Sequence, residues 1–176
     1  NNGNNWVFAN FLGTDINGTT DKGNNVGLNI FDAHDNLIGY TDPTYRQLIS
    51  ANGNRAANED GLGVITTNSV RSFFYGNIIG LNVSGAVAMP NSKGVFLTGS
   101  NNFIGGDGVG EGNTISGNEE PIFNGFGTCS GEGLVIVPLT VLDENGNATG
   151  LLTFDNRIVG TRIGTDVNGT IGIGNC

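Results

Sequence analysis

Apolar residues come along this chain in bursts of three to five positions, alternating with polar ones, and each burst is broken by glycine or asparagine. Three stretches repeat the arrangement: "NWVFANFLGTDINGT" from Asn5 to Thr19, "SFFYGNIIGLNVSGA" from Ser72 to Ala86, and "NRIVGTRIGTDVNGT" from Asn156 to Thr170. Gly13, Gly80 and Gly164 anchor the copies, and Gly18, Gly85 and Gly169 close a turn of the Asp/Asn-x-Asn/Ser-Gly kind. "GLNI" at Gly27 and "GVFL" at Gly94 follow the first two copies, and "NLIG" at Asn36 and "NFIG" at Asn102 come next. Related strand cues stand at Gly63, Asn113 and Gly133.

Alternation at a period of two predicts strands that bury one face. The glycines and asparagines between them supply the positive φ of sharp corners. Strands this short cannot form stable isolated hairpins, but they can be the sides of a coil whose turns stack about 4.8 Å apart. Apolar side chains then fill a continuous interior column, and asparagines at equivalent corners bond up the stack as ladders. The expected fold is all-β, a right-handed parallel β-helix of five to six turns. Each turn is read as roughly 25 to 30 residues, in a single domain over 1–176. Leu12, Ile79 and Ile163 are expected inside it, stacked in register with Val7, Phe74 and Ile158. Two departures from the repeat, 40–60 and 138–150, read as insertions. In the first, Asp42 and Pro43 are the cap and first position of a short helix.

Composition agrees with this and narrows it. With 31 glycines and 27 asparagines in 176 residues the chain is a poor helix former. Its regular apolar bursts and a charged content of only 13% separate it from disordered chains, and its glycines lack the collagen period of three. The net charge is −9 with seven scattered Lys and Arg, which argues against nucleic acid and anionic membranes as partners. No apolar run is long enough to span a bilayer, so no membrane insertion is expected. The opening "NNGNNW", without Met or leader, reads as a processed or excised piece.

At these residues the chain resembles the parallel β-helix repeat proteins secreted by bacteria and some other microbes, with the pectate-lyase-like superfold. The combined motif is "NxIxGNxIGTDxxGT", "GNxxGVxI", "NxIGG" and "NxISGN". That resemblance implies an extracellular or cell-surface location. The superfold hosts lyases, hydrolases, epimerases, adhesins and structural stalks, so it fixes fold and not function. The "NTD", "DD", "GHG" and "RIK" strings of its hydrolases are missing. The single histidine, His34, stands in a loop-like "DAHDN". Glu119 and Glu120 are neighbours that a strand would point to opposite faces. Arg157 and Arg162 replace Trp6 and Phe11 of the first copy and are expected on the outside.

The remaining candidates are binding or modification sites. Asp15, Asn17 and Asp21 in "DINGTTD", and Asp143 in "DENGN", offer oxygens that calcium could use, but they lack a bidentate acid at the twelfth position. Good turn chemistry explains the same residues. No other cofactor is indicated. Tyr40, Tyr45, Arg46 and Arg55 in the first insertion suit a sugar or a neighbouring subunit. Cys129 and Cys176 suit an oxidising compartment and could pair within the chain or between chains. Sequons at Asn17, Asn82, Asn147 and Asn168 are glycosylation candidates, three of them in the repeated turn. Two functions follow. The first is a non-catalytic extracellular structural module stacking end to end in a fibre, sheath or surface layer. The second is a carbohydrate-active or carbohydrate-binding β-helix with a polysaccharide partner.

Overall fold

The computed structural model describes residues 2–53, 61–119 and 131–175. Its chain winds as a coil with three sides per turn. The first turn holds β1 (Trp6–Val7), β2 (Phe11–Leu12) and β3 (Val26–Phe31), and the second holds β4 (Leu37–Gly39), β5 (Leu48–Ile49) and β6 (Leu62–Val70). The third holds β7 (Phe73–Tyr75), β8 (Ile78–Ile79) and β9 (Lys93–Ser100). The fourth holds β10 (Phe103–Gly105), β11 (Thr114–Ile115) and β12 (Glu132–Ile136). A hairpin of β13 (Thr140–Leu142) and β14 (Ala148–Leu151) precedes β15 (Arg157–Val159) and β16 (Arg162–Ile163) of the fifth. Like sides stack into three parallel sheets: sheet I is β1-β4-β7-β10-β15, sheet II is β2-β5-β8-β11-β16, and sheet III is β3-β6-β9-β12. The described residues are thus all-β, a solenoid of β-helix type.

Register turns the sequence repeat into columns. Val7, Ile38, Phe74, Ile104 and Ile158 align along sheet I. Leu12, Ile49, Ile79, Ile115 and Ile163 align along sheet II. With Val64, Val95 and Leu97 of sheet III, the middle members form one dry core. The expectation that Leu12, Ile79 and Ile163 share burial fails at one end. Ile79 is 1% exposed and Leu12 half-buried, but Ile163 is 47% exposed and Ile158 45%. Ile158 and Ile163 belong to β15 and β16, the last described rung, and are the exposed members of their columns.

Asparagine ladders run up all three corners. Between sheets III and I, Asn5 donates to Asn36, Asn36 to Ser72, Ser72 to Asn102 and Asn102 to Asn156. The first four of these are spaced by 31, 36 and 30 residues, so two of the three turns are longer than the 25 to 30 expected and the third is at its upper bound. Between sheets II and III, Asn24, Asn52, Asn91, Asn118 and Asn175 form an unbroken ladder. Beside it runs a glycine column. A Cβ on Gly94 would lie 2.4 Å from the Gly133 carbonyl oxygen and 2.8 Å from Asn118 Nδ2, so any side chain there would split the ladder from its strand.

The segment 40–60 is corrected in part. Its Leu48 and Ile49 are buried in the coil as β5, with Asn52 in the ladder. Within 40–47 a 3-10 turn at Pro43–Tyr45 carries the expected cap, Thr44 N–H donating to Asp42 at 2.8 Å. The segment 138–150 does leave the coil, as the β13–β14 hairpin.

Candidate functional site

The three repeated turns are loops at the corner between sheets II and III, and they belong to the first, third and fifth turns of the coil. In each, the leading side chain folds back on its own loop. Asp15 Oδ1 accepts the N–H groups of Thr19 and Thr20, both at 2.9 Å. Asp166 Oδ1 accepts Thr170 N–H at 2.7 Å and Ile171 N–H at 2.9 Å. Asn82 does the same more weakly for Ala86 and Val87. These donors hold the Asp15 and Asp166 carboxyls below their ordinary pKa.

The loops also grip one another. Val83 N–H donates to the Gly18 carbonyl at 3.0 Å, and Val167 N–H to the Gly85 carbonyl at 3.1 Å. A Cβ on Gly85 would fall 2.0 Å from Val167 Cγ1, so the notch that receives Val167 exists only because residue 85 is glycine. Each loop therefore covers two rungs of sheet II. Beneath this zipper Leu48, Ile78 and Leu81 form a second buried cluster outside the coil.

A cleft of about 430 Å³ opens beside the loop column on the outer face of sheet II. Ile78, Thr114 and Arg162 form its floor, the 40–46 segment and the glycine-rich 106–112 segment its walls, and Val167 closes the end. Arg46 and Arg162 both face it, with Asp107 as the acid among its lining residues. Neither arginine forms an ion pair among the described residues. Tyr40 lines the cleft and also packs with Phe8 and Tyr45, ring centroids 5.5 to 6.1 Å apart.

The other candidates are placed as follows. Asp21 Oδ1 accepts Gly23 N–H, and Asp143 Oδ1 accepts the N–H groups of Asn145 and Asn147, so the oxygens considered for calcium hold turns. Backbone and side-chain donation from Asn147 lowers the Asp143 pKa. Among the described residues no three His, Cys, Asp or Glu gather where they could hold a metal. His34 Nδ1 lies 2.7 Å from Asp35, whose carboxylate takes a two-pronged bond from Arg71 at 2.8 Å. This is a corner clamp, and it pulls Asp35 down to about 2.

Asn17, Asn147 and Asn168 are exposed, while Asn82 occupies the place of Asp15 as the loop-holding residue and is half-buried. Arg157 lies over the Phe103 ring at 5.6 Å on the outer face of sheet I. Phe103 stacks face to face on Phe73 at 5.0 Å, so the two ring faces serve each other and not a flat ligand. Arg55, Glu120, Cys129 and Cys176 lie outside the described residues. The sequence reading missed the cleft itself. Its signal was the run of glycines at 105, 106, 108, 110 and 112, four of them in the wall.

Comparison with known proteins yields no match: no family model fits the chain, and no curated protein or solved structure is similar to it.

Proposed function

We propose that this chain is a non-catalytic extracellular structural module, a right-handed parallel β-helix of the pectate-lyase-like kind, that works by self-assembly in a fibre, sheath or surface layer. The observation that carries the reading is the repetition of contacts from turn to turn along the described coil, loop gripping loop and asparagine bonding asparagine. Ile158 and Ile163 stand half-exposed in columns whose inner members are fully buried. Exposed strand edges and apolar columns invite pairing with a further turn.

The loop zipper limits how that pairing occurs. The repeated Asp/Asn-x-Asn/Ser-Gly loops sit on alternate turns, two rungs apart, so an in-register copy would bring its first-turn loop onto the fifth-turn loop one rung too close. Turning the copy by one side of the coil places that loop above the sheet I/II corner, where the last projecting segment belongs to the fourth turn. The two-rung spacing is then kept. Such a contact is heterologous and non-closing, the geometry of filaments.

Negative-stain micrographs of purified protein at rising concentration test this: elongated particles are expected, and uniform single particles at every concentration refute it. A carbohydrate-binding role is the second reading, favoured by the polar cleft with Tyr40, Arg46 and Arg162. Retardation in polysaccharide-containing gels that is lost in Arg46→Gln would support it.

A further inference from the structure

We propose that the cleft on sheet II is the receptor for the tip of the β13–β14 hairpin of a second copy, a lateral clasp that rests on the self-assembly reading above. The hairpin leaves the coil between β12 of sheet III and β15 of sheet I. In a three-sided coil that corner lies opposite sheet II, so a chain cannot place its own hairpin in its own cleft. A copy translated sideways can.

The two surfaces are chemically matched. The tip carries half-buried Asp143 and exposed Glu144, on an arm with open space around Gly146 and Gly150. Leu142, beside them, is 59% exposed. Asp143 is engaged in holding its turn, so Glu144 is the acid with free oxygens for a partner. The cleft offers two guanidinium groups without ion pairs among the described residues, in a chain of net charge −9. Guanidinium binds carboxylate in a planar fork. Asp107 in the wall opposes the match, and Glu111 of the same wall is engaged by Gly108 N–H at 2.9 Å, so the match rests on the directed forks of Arg46 and Arg162 and not on net charge. Val109 in the glycine-rich wall, 99% exposed, gives Leu142 an apolar landing. Because hairpin and cleft sit on opposite sides, each copy donates one tip and receives one. That contact is heterologous and propagates as a row or layer.

The test is sedimentation velocity of the full chain across a concentration series at low and moderate salt. Glu144→Lys and Arg162→Glu lie outside both buried clusters, so circular dichroism should show them folded. Each is expected to weaken association at least about fivefold, with added salt doing the same to the wild type. The double variant Glu144→Lys with Arg162→Glu should regain association, which loss of fold cannot imitate. Association that is indifferent to both single changes and to salt overturns the clasp and leaves axial assembly standing. A wild type monomeric throughout overturns both.

Discussion

Asn4, Asp35, Arg71, Asn101 and Asp155 all hold φ between 53° and 62°, each one position before a ladder residue. The left-handed turn aims the next side chain along the stack, and asparagine and aspartate tolerate it because their short polar chains bond locally. Arg71 is the unusual member, and its fork to Asp35 ties it to the turn below. The Asp35 carboxyl is depressed by that fork and by His34 to about 2 from an ordinary 3.8. A depressed carboxyl contributes stability that is present above 3.8 and lost as pH falls toward 2. Melting temperature is therefore expected to drop on acidification across that window. Asp35→Asn should lower it at neutral pH and flatten the drop, and an unchanged slope would count against the clamp.

The ladder between sheets I and II has one fault. Gln47 Nε2 and Asn77 Oδ1, on neighbouring rungs, are buried donor and acceptor without partners. Glutamine is one methylene longer than the asparagine found elsewhere in the ladders, and while its Oε1 accepts from Asn10, its Nε2 makes no bond to the next rung. Gln47→Asn should close the ladder and stabilise the fold by about 1 kcal/mol. A lower melting temperature would show that the longer side chain is needed.

At the scale of elements, the repeat was legible but its period was misread. Gly13, Gly80 and Gly164 mark alternate turns, because among the described residues a loop stands between the sheet II strand and the ladder asparagine in the first, third and fifth turns. The intervening turns pass straight from strand to ladder through "ISAN" at Ile49–Asn52 and "ISGN" at Ile115–Asn118. The first of these was hidden in what read as an insertion, since "DPTYRQLISANG" opens with helix-like and loop-like residues. Strand periodicity cannot place two buried residues such as Leu48 and Ile49, and only stacking against β2 and β8 does. The cleft was less legible still, because Arg46 and Arg162 come together only through the winding of the coil. The glycine column offers a direct test of the stacking. Gly94→Ala should cost on the order of 1–3 kcal/mol in chemical denaturation by pushing into the Gly133 carbonyl. Gly174→Ala, with nothing within 4 Å of the added carbon, should stay within about 0.5 kcal/mol. Equal costs would contradict the column.

Across the whole molecule, burial rises from the end turns to the middle ones, so the same substitution should have different costs along one column. Ile79→Ala removes a fully buried side chain and should cost about 2–5 kcal/mol. Ile163→Ala, on the exposed rung of that column, should cost less than about 1 kcal/mol. The proposed axial assembly would set a further copy against that rung, and Ile163→Lys tests the proposal most directly. Sedimentation velocity of wild type and Ile163→Lys at matched concentrations should show the wild type associating and the variant folded, with unchanged circular dichroism, but monomeric. Assembly by the variant equal to that of the wild type would contradict the proposal that copies of this coil stack on that rung.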